Sequence, residues 1–333
     1  MNESGPLRVG ILGARSWIAN QAVIPALLAS TGCELVAVAC ADGSVPPGVA
    51  HLDAGSYQAV LDRPDVDAVY LPLPNGLHRR WVEASAAAGK HVLCEKPLGV
   101  DVADAAAMVA ACDRAGVLLA EAWMTPFGAR WSEVIASAAS GGLGEVRDIR
   151  AEFTFVMGPG RETNYRWDPG QGGGALLDVG IYALGAAVSL WGAEPVAVHA
   201  TSRWSTTGVD TTTSVWCDWG EGRTVSALVS FELPERQRLE LSGTGARLVV
   251  DGDAFTGGAA ATRAALLGRD GSVIDLATAG NDPYRTMVDA FADAVRGRRA
   301  WPRPVAESVA MARLLERIAA ATRPGDVDRH DGR

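Results

Sequence analysis

Five short apolar runs separated by helix-length segments dominate the first third of the chain: LRVGIL at 7–12, ELVAVA at 34–39, VDAVYLPL at 66–73, HVLCE at 91–95 and VLLAEAW at 117–123. Runs this short and this continuously apolar suit strands buried on both faces. Between them, residues 17–30, 77–88 and the stretch from Asp101, read as an N-cap, to Ala115 carry apolar residues at helical spacing. Strand–helix alternation of this kind folds as a doubly wound parallel sheet. It is expected to occupy residues 1–125.

The pattern then changes. A helix near 126–139 leads to an alternating segment at 145–156, and a Gly-rich turn with an apolar helix occupies 171–191. PVAVHATSRW, TTTSVWCDW, TVSALVSFEL, RLELSG and ARLVVDG follow. These are extended and alternating, as in an antiparallel sheet with one face on a core, and SGTGAR at 242–247 reads as a hairpin turn. Residues 126–333 are therefore expected to form an α+β domain on a large open, mainly antiparallel sheet. Helices near 283–296 and 305–321 are expected to return to the first domain, with a frayed polar tail from Pro324. A length of 333 residues accommodates both units.

Charge and cysteine usage narrow the function. A formal charge of −9 argues against nucleic acid as a partner. No apolar run reaches the roughly 18 residues of a membrane span, and no basic region followed by an apolar stretch opens the chain. Cys33, Cys40, Cys94, Cys112 and Cys217 have no metal-type spacing, so no metal is expected, and their odd number suits reduced thiols in a cytoplasmic setting. Only Lys90 and Lys96 are lysines, against 28 arginines. Arginine cannot give up its proton near neutrality and lysine can, so a retained lysine is worth locating.

The first strand runs into Gly10-Ile-Leu-Gly13-Ala14-Arg15-Ser16-Trp17-Ile18-Ala19. A dinucleotide fold needs a tight turn here, with small residues that let backbone N–H groups at a helix N-terminus reach a pyrophosphate. Gly10, Gly13 and Ala14 meet that need, although the middle glycine of G-x-G-x-x-G is missing. Asp42, just past the second strand, would accept from the ribose hydroxyl of NAD, whereas Arg15 would attract the 2′-phosphate of NADP. The cofactor is read as NAD or NADP, with the balance toward NAD.

Two more clusters carry chemistry. Glu95-Lys96-Pro97 ends the fourth strand, on the edge where open α/β sheets bind ligands. Gly172-Gly-Gly-Ala-Leu-Leu-Asp178-Val-Gly-Ile-Tyr182 opens a helix and puts Asp178 and Tyr182 on one face, four residues apart.

These residues carry a resemblance. With VGILG and IA near the N-terminus, DAVYLPLPNxLH at 67–78, HVLCEKPL at 91–98, NYR at 164–166 and GGGALLDVGIY, the chain resembles the glucose–fructose oxidoreductase and inositol dehydrogenase family (Gfo/Idh/MocA) over nearly its whole length. The resemblance implies a Rossmann domain, a second domain on an open sheet that commonly joins copies into a homodimer or homotetramer, and NAD(P)-dependent oxidoreduction of a sugar, nucleotide sugar or cyclitol. Lys96 matches the family lysine near the nicotinamide, and Asp178 the motif's aspartate. Tyr182 falls where many members carry His and one branch carries Tyr. Asn75, His78 and Glu95 match positions beside the cofactor, and Arg166 a substrate-side arginine. Trp123 and Trp167 are further substrate-side candidates, with core or rim packing as the simpler alternative.

The chain also departs from the pattern. Cys40-Ala41 replaces a Ser-Arg pair common in NADP users, the segment 43–56 is short, and Met124-Thr-Pro-Phe-Gly128 replaces an aromatic and basic stretch. The expected chemistry is hydride transfer at a carbinol or keto carbon, with Tyr182 carrying the proton and Lys96 lowering the phenol's pKa. Two other functions share the fold: a sensor that binds dinucleotide or sugar without turnover, and an NAD-dependent glycosidase with no net redox change.

Overall fold

Gly13 ends the first strand at the point where the parallel sheet reverses its direction of growth. The five runs form β1 (Leu7–Leu12), β2 (Cys33–Ala39), β3 (Ala68–Leu71), β4 (His91–Glu95) and β5 (Leu119–Ala122), ordered β2-β1-β3-β4-β5. The chain leaves β1 outward to β2, and β3 returns on the other side of β1. That divergence opens a crevice beyond the C-terminal strand ends, the standard ligand position of such sheets. The computed structural model describes residues 5–158, 163–192, 194–256, 262–278 and 280–322. The tail from Pro324 lies outside them.

The connecting helices follow the sequence pattern with one local exception. The segment read as a continuous helix over 17–30 begins with a wide π-helical turn at Ala19–Val23 before α1 (Ile24–Ala29). Pro25 has no backbone N–H to donate back along the helix, and the widened turn precedes it. Then come α2 (Tyr57–Leu61), α3 (His78–Ala87) and α4 (Val102–Ala115). Asp101 caps α4 by accepting from the Asp104 N–H at 2.7 Å, and Gly116 closes it in the left-handed conformation.

After α5 (Ala129–Ala139), the second sheet is built from β6 (Val146–Thr154), β7 (Ala197–Trp204), β8 (Asp210–Gly220), β9 (Arg223–Ser230), β10 (Arg236–Gly243), β11 (Ala246–Asp251), β12 (Thr262–Gly268) and β13 (Val273–Thr278). Its order is β13-β12-β11-β10-β6-β9-β8-β7, antiparallel throughout except where β6 runs parallel to β9. The hairpin at 242–247 is present, with Ser242 opposite Arg247. The pair β12–β13 extends the sheet beyond the strands foreseen above.

The apolar helix α6 (Ala175–Trp191) packs on β6, β8 and β9 and is buried nearly all round. The opposite sheet face carries a lattice of ion pairs, including Arg238–Asp251 at 2.6 Å and Arg236–Glu152 at 3.2 Å. Of the last two helices, α7 (Pro283–Val295) packs on α1, and α8 (Val305–Thr322) lies between α4, α6 and β7. Among the described residues no helix is long and apolar enough to cross a membrane.

Candidate active site

Because β1 to β5 are parallel, the Gly13 turn, the Cys40–Asp42 segment, Asn75, Lys96 and Trp123 all emerge on one edge of the sheet. The glycine turn is held rigidly. Gly13 and Ala14 donate to the Ala39 carbonyl at 2.9 and 3.2 Å, and Ser16 Oγ accepts from the Ala19 N–H at 3.1 Å. Asn20, absent from the sequence reading, donates its side-chain amide to the carbonyls of Ala14 and Ser16. Gly13 has φ +106°, and a Cβ there would press to 2.8 Å from Leu73. The turn thus stays close and uncluttered without the middle glycine, with helical N–H groups of Trp17 and Ile18 at its mouth. Trp17 is exposed beside it. These residues fit a dinucleotide pyrophosphate. Arg15 and Asp42, which favour different cofactors, pair with each other, and Ser44 joins both.

Three expected cofactor contacts are instead internal braces. His78 is fully buried, with Nδ1 3.0 Å from the Pro97 carbonyl and Nε2 3.0 Å from that of Leu73, so its ring ties the loop after β3 to the Glu-Lys-Pro loop. Asn75 is buried and donates to the Gly172 carbonyl at 2.8 Å, joining the cofactor loop to the turn that opens α6. Glu95 is buried, accepts from Tyr70 Oη at 2.8 Å and from the Lys96 N–H at 3.3 Å, and is pushed by burial up to about 7 despite the adjacent Lys96 charge. His78 and Glu95 thus spend their polar atoms on the protein, while Asn75 spends one amide N–H on Gly172.

The Gly-rich turn places α6 with little tolerance. A Cβ on Gly173 would meet the Arg166 carbonyl at 2.5 Å, and one on Gly174, where φ is +112°, would strike the Asp210 carboxylate. That carboxylate accepts from the Leu176 N–H at 2.8 Å and so caps α6 from β8, 34 residues away in sequence. On the first turn of α6, Asp178 gathers two cations. Lys96 Nζ lies 3.2 Å from Oδ1 and 2.6 Å from the Asp178 carbonyl, while Arg166 reaches Oδ2 through Nε at 2.7 Å and Oδ1 through Nη2 at 2.9 Å. Although burial alone would raise it, Arg166 and Lys96 hold the Asp178 carboxyl well below its usual range. Arg166, expected on the substrate side, spends two nitrogens on this carboxylate.

Tyr182 lies one turn further along α6, 6% exposed, with Lys96 Nζ 5.0 Å from its ring centroid. Phe153 and Phe255 flank the ring at 5.1 and 6.2 Å. Contrary to the expected lowering, burial, then the negative charges of Glu95 and Asp178, push Tyr182 well above its ordinary value. Lys96 meanwhile donates to the Asp178 carbonyl and carboxylate. Tyr182 is held as a neutral phenol.

Trp123 is not on the substrate side. It is completely buried beneath Tyr182, edge-on at 6.5 Å. Trp167 is half-buried at the rim against Phe231. Sequence reasoning also missed Tyr70, Glu121 and Arg303, all buried behind the Lys96 loop. A charged residue inside an apolar strand, as in the Glu121 of LLAEAW, was the one available signal.

Comparison with known proteins matches both parts of the chain. Residues 7–122 match a model described as an oxidoreductase family with an NAD-binding Rossmann fold, and residues 131–249 match the GFO/IDH/MocA C-terminal domain. Among relatives, D-xylose 1-dehydrogenase (NADP(+)) 2 of Haloferax volcanii is 36% identical, over 95% of this chain and 97% of its own. The dTDP-3,4-didehydro-2,6-dideoxy-alpha-D-glucose 3-reductase of Saccharopolyspora spinosa is also 36% identical, over 96% and 98%. The crystal structure of KijD10, a 3-ketoreductase from Actinomadura kijaniata in complex with NADP and TDP-benzene, superposes with a TM-score of 0.87 at 30% identity, over 96% of this chain and 98% of that one.

Proposed function

The chain belongs to the GFO/IDH/MocA oxidoreductase family, and from that premise we propose that it reduces a keto carbon of a sugar or nucleotide sugar, with Tyr182 as the proton donor. The observation that carries this reading is geometric: Lys96 Nζ, fixed by Asp178, lies 5.0 Å from the Tyr182 ring centroid, so a cation and a phenol are held together at the C-terminal edge of the parallel sheet. Tyr182 keeps its proton in the free chain and would donate it to an oxygen that gains charge, as the carbonyl oxygen of a ketone does during reduction. A bound nicotinamide supplies the hydride. The N–H groups of the Gly13–Ile18 turn would hold the pyrophosphate, and Arg15, Asp42 and Ser44 would meet the adenosine ribose.

Lys96 supplies charge in this scheme. Its ammonium, fixed by Asp178, places positive charge beside the Tyr182 ring and the reacting oxygen, which stabilises the alkoxide as it forms. Asp178 keeps that ammonium aimed and also anchors Arg166 beside it. Phe153 and Phe255 exclude water from one side of the phenol. The ion-paired outer face of the second sheet is the surface on which a second copy would dock.

The substrate class follows from the likeness to a xylose dehydrogenase and to 3-ketoreductases of nucleotide sugars. The test is a panel of aldoses, keto sugars and nucleotide sugars, followed by nicotinamide absorbance and by product analysis. Net consumption of reduced cofactor with a keto sugar is expected, and Tyr182→Phe should lower turnover by ~10²- to 10⁴-fold while cofactor affinity is kept. Bond cleavage without net redox change would assign a glycosidase instead, and binding without turnover a sensor.

A further inference from the structure

Behind the site lies a buried guanidinium that the chemistry above does not use. Arg303, two residues before α8, is 5% exposed. Its Nη1 donates to Glu121 Oε2 at 2.8 Å, and Ser308 Oγ donates to the same oxygen at 2.7 Å. The other oxygen, Oε1, accepts from the Leu98 N–H at 2.8 Å. Leu98 is two residues past Lys96, and its own carbonyl, with that of Pro97, faces His78 Nδ1. Glu121 therefore grips the Lys96 loop at its downstream end, and Arg303 holds Glu121.

The same guanidinium reaches the other half of the site. Its Cζ lies 4.6 Å from the Trp123 ring centroid. Trp123 supports Tyr182 from beneath and is wedged against Gly185, one turn beyond Tyr182 on α6, where a Cβ would strike the indole. Nε also donates to Glu307 Oε2 at 3.3 Å, and Nη2 is buried without a hydrogen-bond partner. The guanidinium thus holds Glu121 and Glu307 while its Cζ stays within cation–π distance of Trp123.

We infer that Arg303 is a positioning residue that sets the spacing between Lys96 and Tyr182, gripping the Lys96 loop through Glu121 and the Tyr182 ring through Trp123. The C-terminal segment of the chain thereby fixes two groups that come from β4 and α6. This rests on the assignment of Lys96 and Tyr182 to the reaction.

Two variants test it. Arg303→Lys keeps a cation for Glu121 and loses the plane over Trp123, while Arg303→Met with Glu121→Gln removes both charges and leaves neither buried alone. The expected result in each is a fall in kcat of ~10-fold or more, since small misplacements of reacting groups are costly, with KM for sugar and cofactor within about twofold. A second readout needs no substrate. Lysine labelled with ¹³C at Cε gives two side-chain signals, from Lys90 and Lys96; in the double variant the Lys96 signal should move and the Lys90 signal should not. A folded variant with wild-type kcat and an unmoved Lys96 signal would overturn the inference, and failure of both variants to fold would assign Arg303 to the fold alone. Tyr182→Phe in the same assay separates the two claims. If it keeps turnover, the reading of the site fails, and the Lys96 signal still reports on Arg303. If it loses turnover and the Arg303 variants do not, only the positioning role falls.

Discussion

Arg15 Nη1 lies 2.5 Å from Asp42 Oδ2, so the two side chains that favour opposite cofactors neutralise one another at the mouth of the dinucleotide turn. Ser44 completes the group, donating to Asp42 Oδ1 and accepting from Arg15. Its hydrogen bonds, together with the charge of Arg15, hold the Asp42 carboxyl below its usual value. All of this is exposed to solvent, where a single ion pair contributes little. The pair is therefore easily parted, and in the proposed reading whichever member is freed would meet the ribose.

Cofactor preference should follow directly. Discrimination in the wild type is expected to be modest. Asp42→Ala releases Arg15 and Ser44 toward a 2′-phosphate and removes a repelling charge, so NADPH affinity should rise ~10-fold relative to NADH, the range of a charge-assisted contact. Arg15→Ala should shift the ratio the other way. Dissociation constants for both cofactors in the three proteins check this; equal ratios throughout would move the choice of cofactor elsewhere.

The buried Asp178 carboxylate pairs with two part-buried cations, Lys96 and Arg166, and among the described residues neither has another carboxylate partner. Asp178→Asn should cost ~3–5 kcal/mol, the range for breaking a buried pair from one side, read as a lower urea midpoint. The sign with pH is fixed. A carboxyl held below its usual value stabilises the fold above the unfolded pKa and loses that contribution as pH falls. The gap between wild type and Asp178→Asn should therefore be widest near neutrality and close in strong acid; a gap constant with pH would be inconsistent with this role.

The elements the sequence disclosed are those whose pattern is local. Buried strands in β1 to β5, the Asp101 cap and the shared face of Asp178 and Tyr182 each follow from neighbours within four residues. What escaped was long-range. Strand β12 holds Ala and Leu at positions made extended by pairing with β11 on one side and β13 on the other. His78 and Asn75 look like ligand-facing loop residues until the Pro97 and Gly172 carbonyls are brought to them. Arg303 lies 182 residues from Glu121, and no periodicity links them. Lys96 was expected to lower the Tyr182 phenol; the burial that raises it instead, and the Asp178 groups that Lys96 bonds, arise only in the folded chain.

Gly185 has a testable packing role. Trp123 is fully buried against it, and a Cβ at 185 would clash with the edge of the indole ring. Gly185→Ala raises helix propensity and would stabilise an open position by about 1 kcal/mol. Here overpacking should outweigh that gain, with a net loss of ~1–3 kcal/mol, seen as a lower melting temperature and altered near-ultraviolet circular dichroism from displaced Trp123. A melting temperature above wild type would show that Trp123 can give way freely.

Glu95 offers the clearest pH signature. Its carboxyl is buried between Tyr70 and the Lys96 backbone and is pushed up to about 7, from an ordinary value of 4.5. Here the sign is opposite to that of Asp178. The folded chain holds a proton that the unfolded chain has released once pH passes 4.5, so folding is favoured below that value, and the advantage is lost as pH rises toward 7. One pKa unit corresponds to ~1.4 kcal/mol, which bounds the effect near ~3 kcal/mol. Glu95→Gln keeps an acceptor for Tyr70 and removes the titration. Urea midpoints measured from pH 4 to 8 should fall more steeply across this window in wild type than in Glu95→Gln. All other ionisable groups are common to both proteins, so their contribution cancels in the comparison. The same step adds a negative charge near the Tyr182 phenol, one of the groups that hold it neutral, so the basic limb of the activity profile should move to lower pH in Glu95→Gln. Parallel stability curves would mean that Glu95 is already ionised in the folded chain at pH 5, and that the phenol is kept neutral by burial and Asp178 alone.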